Sequence, residues 1–426
     1  MTDSGTRPAE TARGRGEILR QHNFRLLWLG ETTSAVGTSI SRVALPLVAV
    51  VTLQASALQV SALTAAAWLP WLVIGLPAGA WVDRLPRRRV MQACNIGSLL
   101  LLLSVPIAAW SGTLTIGHLL VVALLTGVAS VFFQTAYQVY LPAVVRAGDL
   151  TEANAALQGS ESVAQVAGPG LAGLLAQLAG AVAGLVADAV SFLVSTVCLV
   201  FIHAQDEATE DEARSTSLRG QIADGLRFVR ADPYLRVLTV FGATSNLALT
   251  GYQAILVVFL VRDVGVSPGG VGLLISGMSV GGVVGAAGAG AVARHFGTAR
   301  GMLACELVGA PFALLIPLAR PGLGLLYVVM GGIGVGAGVV SGNVIKSSFR
   351  QTYTPRHLLG RVIVTMQFLN YGTIPLGALL AGLLAGNVGL RPTMWIMASG
   401  VTLATLVLLI GPIRHQRDLP TSPAPR

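Results

Sequence analysis

The chain is 426 residues long, 53% hydrophobic and only 11% charged, with a mean hydropathy of +0.71 and a formal net charge of +9. A soluble domain carries roughly 25% charged residues, so this composition excludes an ordinary water-soluble enzyme. The arginines are scattered over separate short loops, which excludes a nucleic-acid-binding surface as the source of the positive charge.

In chain order, the first 22 residues form a polar, arginine-bearing tail without a cleavable signal pattern, and the first apolar span is expected to target the chain. Twelve apolar runs follow: 24–52, 58–82, 90–110, 117–141, 160–181, 182–203, 235–261, 271–293, 301–319, 323–345, 362–386 and 390–413. A helix crosses a bilayer with about 20 mostly apolar residues. Barrel strands would alternate apolar and polar over ~10 residues; these runs do not, so the sequence predicts an all-α membrane protein of twelve transmembrane helices. Residues 204–233 break the series with an acidic run, Asp206 to Glu212. Leu218, Ile222, Leu226 and Val229 then recur at helical spacing among arginines, which predicts an amphipathic helix on the membrane surface. The proline-rich residues 414–426 read as a disordered tail.

The series is a duplication. Gly79-Ala-Trp-Val-Asp83-Arg84-Leu-Pro86-Arg87-Arg88-Arg89 ends the second run, and Gly290-Ala-Val-Ala-Arg294-His295-Phe-Gly297-Thr-Ala-Arg300 ends the eighth. Phe24 to Leu27 echoes Tyr234 to Val237. Gly168-Pro169-Gly170 in the fifth run echoes Pro375-Leu376-Gly377 in the eleventh, which marks Gly168, Pro169 and Pro375 as helix-bend positions. The division is therefore a tail (1–22), a six-helix bundle (23–203), a central loop (204–233), a second bundle (234–413) and the tail 414–426. Two such halves of one membrane protein imply a transporter that rocks about a central chamber. Its partners are a small-molecule substrate, the lipid bilayer and a coupling ion, with no cofactor and no nucleic acid, and a functional monomer is expected.

With both termini placed inside, the tail arginines, Arg84, Arg87, Arg88, Arg89, Arg146, Arg294, Arg300, Arg350, Arg356, Arg361 and Arg414 fall on one side. The other side keeps only Arg262, Arg320 and Arg391 in its loops. That asymmetry orients the chain in the cell's plasma or inner membrane. Cys94, Cys198 and Cys305 lie in or beside apolar runs, without metal-site spacing. No phosphate-binding loop surrounds the only lysine, Lys346, which reads as an inner-end anchor. The six histidines show no paired ligand spacing, so no metal site is expected.

Charges inside spans are costly and mark candidate functional residues. Glu31 is the first candidate for proton carriage. Arg42, eleven residues on, lies within ~20° of the same helix face but ~16 Å away along the axis, so the two cannot touch. Arg42 could bind an anionic group or tune a carboxylate; either residue could equally be an interfacial or structurally paired charge. Glu161 is a further coupling candidate, whereas Asp188 and Glu306 read as structurally paired charges. Gln134, Tyr137, Asn246, Tyr252, Asn343, Gln367, Asn370 and Tyr371 could read a substrate or serve as helix-packing contacts.

The loop Gly79, Asp83, Arg84, Arg87, Arg88, with Pro86 where a glycine is usual, resembles the signature of the major facilitator superfamily. Phe132-Phe133-Gln134 through Leu141-Pro142, Asp188 to Phe192, and Ile222 to Phe228 are similar to its drug-proton antiporter branch, which includes macrolide-efflux and enterobactin-exporter-like proteins. The resemblance covers about residues 20–413. It implies the twelve-helix major facilitator fold, helix one lining the cavity, and a gate in which Asp83 faces helix eleven while Arg84 and Arg88 pair with carboxylates or carbonyls. It also implies proton-coupled export of a hydrophobic or amphiphilic molecule such as a drug, antibiotic or siderophore. A proton-coupled metabolite importer and a non-transporting sensor or scaffold remain the alternatives.

Overall fold

A computed structural model of the chain describes residues 17–82, 84–203 and 226–422. The spans form helices α1 (His22–Thr52), α2 (Ala57–Val73, continued by Gly75–Val82), α3 (Arg87–Trp110), α4 (Ile116–Val144), α5 (Leu150–Ala179) and α6 (Ala183–Phe201). The second set is α7 (Pro233–Asp263), α8 (Pro268–Phe296), α9 (Thr298–Leu318), α10 (Gly322–Tyr353), α11 (Arg356–Val388) and α12 (Leu390–Ile410). Eleven of these are single helices long and apolar enough to cross a membrane. The remaining one, α2, is interrupted at Ile74. Pro77 has no N–H to give the Val73 carbonyl, and its ring crowds that carbonyl, so the helix restarts there.

The helices outrun several of the apolar stretches. Helix α5 begins at Leu150, ten residues ahead of the run that marks it, and α10 continues to Tyr353. Polar residues do not stop a helix at a membrane face; only a breaker does, and Pro355 stands just beyond α10.

The packing repeats with the sequence. Helix α1 packs on α5 and α6, α3 on α4 and α6, and α2 on α4; α7 packs on α11 and α12, α9 on α10 and α12, and α8 on α10. Every pair in the first set has its counterpart six helices later. The duplication reaches backbone detail that residue identities hide. Helix α1 ends in a π-helical turn, Val48–Thr52, and α7 in another, Phe259–Asp263. The next chain turns close with Leu53 N–H to Val48 O and Val264 N–H to Phe259 O, then Ser56 and Ser267 cap the following helices. A serine hydroxyl satisfies an amide that the first helical turn leaves without a partner.

Large apolar side chains cover the outside: Ile107 is 62% exposed and Leu273 70%. In water such a surface would aggregate; in hydrocarbon it costs nothing, and helices there associate through close packing of small residues. The join between the two sets follows that rule. It runs along α2 against α11 and α5 against α8. At Gly272 a Cβ would lie 2.6 Å from the Cα of Gly173, and at Gly382 one would lie 2.8 Å from the Ser61 Cβ. Ser276 adds a hydrogen bond to the Val166 carbonyl at 2.6 Å. All these contacts lie in the half of the bundle away from the arginine-rich loops. Gly272→Val is therefore expected to wedge this seam apart. In a variant with the native cysteines replaced and a cysteine at Gln177, an impermeant maleimide added on that side should label faster; unchanged labelling rules out a seam that depends on glycine contact.

The predicted surface helix is described only over residues 226–231, which are helical, with Val229 buried; Leu218 and Ile222 lie outside the described residues. The tail beyond α12 departs from the expected disorder. Pro412–His415 form a 3-10 turn. The Asp418 carboxylate then accepts from Thr298 N–H at 2.8 Å, the Arg417 carbonyl accepts from the amides of Ala299 and Arg300, and Leu419 is buried. The start of α9 is a positive helix terminus with amides to satisfy, and the tail supplies the acceptors. Gly297, at φ +87°, makes the turn that presents them.

Candidate functional site

Two clusters of polar side chains face the interior in the half of the bundle that carries the arginine-rich loops. The first is built by α1, α4 and α5. Glu31 lies nine residues into α1, and one of its carboxylate oxygens is buried without a hydrogen-bond partner among the described residues. Glu161 of α5 is within electrostatic reach of it, and Tyr137 of α4 lies beside both. Tyr137 stacks on Phe133 at 6.3 Å, and Gln165 donates to Glu161 at 3.3 Å. Two carboxylates so placed repel when both are charged.

The second cluster lines a cavity of about 390 Å³ among α7, α9, α10 and α11. Helical spacing explains how the residues meet: Asn343, Lys346, Ser347 and Arg350 fall at i, i+3, i+4 and i+7 on α10, and Gln367, Asn370 and Tyr371 repeat that spacing on α11. Asn246 of α7 donates to the Asn370 carbonyl at 3.4 Å. Glu306 of α9, 2% exposed, forms an ion pair with Lys346 at 2.7 Å, and the Lys346 ammonium also sits 4.6 Å from the centre of the Phe241 ring. Above this cavity, Tyr371 meets Trp68 and Trp71 of α2 edge-on, at 5.6 and 6.2 Å. Tyr371 lines the cavity, and through these ring contacts it joins the two helix sets.

Most of the sequence candidates fall into one cluster or the other: Glu31, Glu161 and Tyr137 into the first, Asn246, Asn343, Gln367, Asn370 and Tyr371 into the second. Three do not. Tyr252 is 3% exposed within the apolar core, held by the packing of α7 on its neighbours, and does not line the cavity. Gln134 is exposed on α4 and makes no hydrogen bond among the described residues. Arg42 is exposed and lies near Asp188 of α6, a buried carboxylate that Ser191 holds at 3.1 Å.

Lys346 is not an inner-end anchor. Its side chain turns inward because Glu306 sits one helix away, and a buried carboxylate needs a counter-charge. Sequence reasoning read Glu306 as a structurally paired charge but missed Lys346 as its partner, and missed Arg350. The signal was available: the chain's single lysine, four residues before an arginine and three after an asparagine.

Of the loop motifs, Asp83 lies outside the described residues. Arg87 is buried at the start of α3. Arg88 donates to the carbonyls of Leu199 and Val200 at the end of α6. Those carbonyls have no helical partner, and a cation there suits the helix dipole. Arg88 thus ties α3 to α6 within one helix set. Arg84 is exposed, and a side chain at Gly79 would meet open space. In the second copy, Arg294 folds back along its own helix toward Gly290, and Arg300 is exposed, its amide bonded to the Arg417 carbonyl. Gly168 packs on Ser39 of α1, the Pro169 carbonyl abuts Gly272, and Pro375 is buried within α11. Both prolines stand inside unbroken helices. Among the described residues no group of three His, Cys, Asp or Glu side chains could hold a metal ion.

Eleven helices long enough to cross a membrane and the interrupted α2, in two matching sets of six with polar clusters inside, are the build of a multi-pass transporter of the major facilitator class, and the family and relatives that match the chain are transporters rather than enzymes. A family model for transmembrane secretion effectors matches residues 17–424, and the chain belongs to that family. It is similar to the multidrug efflux pump Tap of Mycolicibacterium fortuitum, 30% identical over 404 residues that cover 93% of this chain and 98% of the pump. It is also similar to macrolide efflux protein A of Streptococcus pyogenes, 20% identical over 410 residues, 93% and 97% of the two chains. In fold it matches the nucleoside transporter NupG, with a TM-score of 0.74 at 13% identity over 91% of this chain and 98% of that one. A bacterial homologue of the iron transporter ferroportin, in its inward-facing state, gives 0.74 at 16% identity over 92% and 98%.

Proposed function

We propose that this chain is a proton-driven exporter of a hydrophobic or amphiphilic small molecule, working as a monomer in the cell's plasma or inner membrane with both termini in the cytoplasm. The observation that carries the reading is Glu31: a carboxylate deep in an apolar helix, one oxygen without a partner, within reach of a second carboxylate. A charge within an apolar span is costly and marks a functional candidate, and a carboxylate so placed can take up and release a proton. The arginine-rich loops orient the chain, since cytoplasmic loops collect Lys and Arg. With that orientation the glycine seam closes the outer side, and the cavity faces the cytoplasm. Residues 23–203 and 234–413 then act as the two rocking bundles, with protons entering from outside against the outgoing substrate. The efflux activity named for the relatives favours export.

Inverted membrane vesicles test this. With an acid interior they should accumulate a macrolide or a lipophilic dye, and collapse of the pH gradient should release it. Accumulation only by right-side-out vesicles with inward-directed protons would make the chain an importer, and gradient-independent behaviour of every compound would make it a scaffold.

A further inference from the structure

The cavity of the second helix set carries more positive charge than it neutralises. Among the described residues its lining includes one carboxylate, Glu306, and two cations, Lys346 and Arg350, one helical turn apart on α10. Glu306 is taken by Lys346 at 2.7 Å. Arg350 is left over: its Nε is buried and makes no hydrogen bond among the described residues, and the group beside it is Tyr371, not an acid. Asn343 on its own helix and Gln367 and Tyr371 on α11 line the same cavity, and each carries a donor that an oxyanion can use. Leu238, Leu249, Val339 and Met366 supply an apolar wall to the same cavity.

We propose that this cavity binds the anionic head of an amphiphile, with Arg350 as its counter-ion. The inference deepens the transport reading by naming the substrate class: an apolar body bearing one carboxylate, sulfonate or phosphate ester. An arginine withdrawn from water gains from a planar, charge-assisted pair with an oxyanion, and the fork of its guanidinium fits two oxygens at once. Lys346 does not compete, because its charge is already met by Glu306 and by the face of Phe241. The ligand's anion therefore settles at Arg350, and its tail lies along the apolar wall.

The test is direct binding to the purified full-length protein in neutral detergent, with no gradient, followed by dansyl fluorescence. Three probes of one chain length are used: dansylaminoundecanoic acid, its primary amide, and the corresponding terminal amine. The acid should bind at least about tenfold more tightly than the amide, the return expected from one charged hydrogen-bonded contact. Arg350→Gln should erase that preference and leave the amide unchanged, while Arg350→Lys keeps part of it. Equal binding of acid and amide, or a preference for the amine, overturns the proposal. If Arg350→Gln does not yield folded protein, the charge series on the native chain decides alone. Displacement of the acid by decanoate assigns the site to soluble amphiphiles, and displacement by phosphatidylglycerol alone assigns it to a lipid head; both keep the anion site. Because no gradient is present, failure of proton-driven export in vesicles leaves this result standing, and the reverse also holds.

Discussion

Glu31→Gln is expected to abolish gradient-driven transport while leaving the protein folded in the membrane. Glutamine keeps the size of the side chain as a neutral counterpart of the protonated acid, and removes its charge and its capacity to exchange a proton. A proton-transfer group typically supplies about two to four orders of magnitude, so the rate in acid-loaded inverted vesicles should fall by at least about a hundredfold. Passive exchange of substrate between two sides at equal pH should survive, since the bundles can still rock. The comparison of driven and passive rates is the measurement; a variant that still responds to the pH gradient as the native chain does would remove Glu31 from the coupling path. Glu161→Gln provides the contrast. Glu161 is exposed and accepts a hydrogen bond from Gln165, so its loss should lower the driven rate far less than the loss of Glu31.

Glu306→Ala is expected to be the most damaging single change to stability. It strands the Lys346 ammonium in an interior where Glu306 is 2% exposed and the lysine side chain 14%. Removing one partner of a buried pair costs about 3–5 kcal/mol, whereas replacing both with apolar residues is often neutral. Thermal unfolding in detergent should therefore show a large drop for Glu306→Ala and near-native behaviour for Glu306→Leu combined with Lys346→Leu. A small effect of the single change would mean that Phe241 and water already satisfy the lysine.

Much of the fold could be read in the residues because lipid imposes a simple rule: long apolar runs must be helices, and the arginine-rich turns at 84–89 and 294–300 mark corresponding points of a repeat. What escaped was geometry that does not depend on residue identity. The π turns at Val48–Thr52 and Phe259–Asp263 repeat although their sequences share little, since a backbone register can be inherited after its side chains have changed. The site divided in the same way. Glu31 and Glu161 stood out because each is a lone charge in an apolar context. Glu306 read as a paired charge for the same reason, but its partner Lys346, and Arg350, did not stand out, because their roles depend on which faces of α9, α10 and α11 turn inward, and apolar runs rich in glycine leave that rotation undetermined. Tyr252 failed for the same reason in reverse: a polar hydroxyl on a cavity helix is turned into the core by the packing of α7.

The docking of Asp418 and Leu419 on the beginning of α9 bears on how the protein can be handled. An affinity tag or fluorescent fusion joined at residue 414 would delete the cap of a helix that carries Glu306 a few turns further on. A handle joined after residue 422 retains it, so two preparations differing by eight residues at this end should not be treated as equivalent.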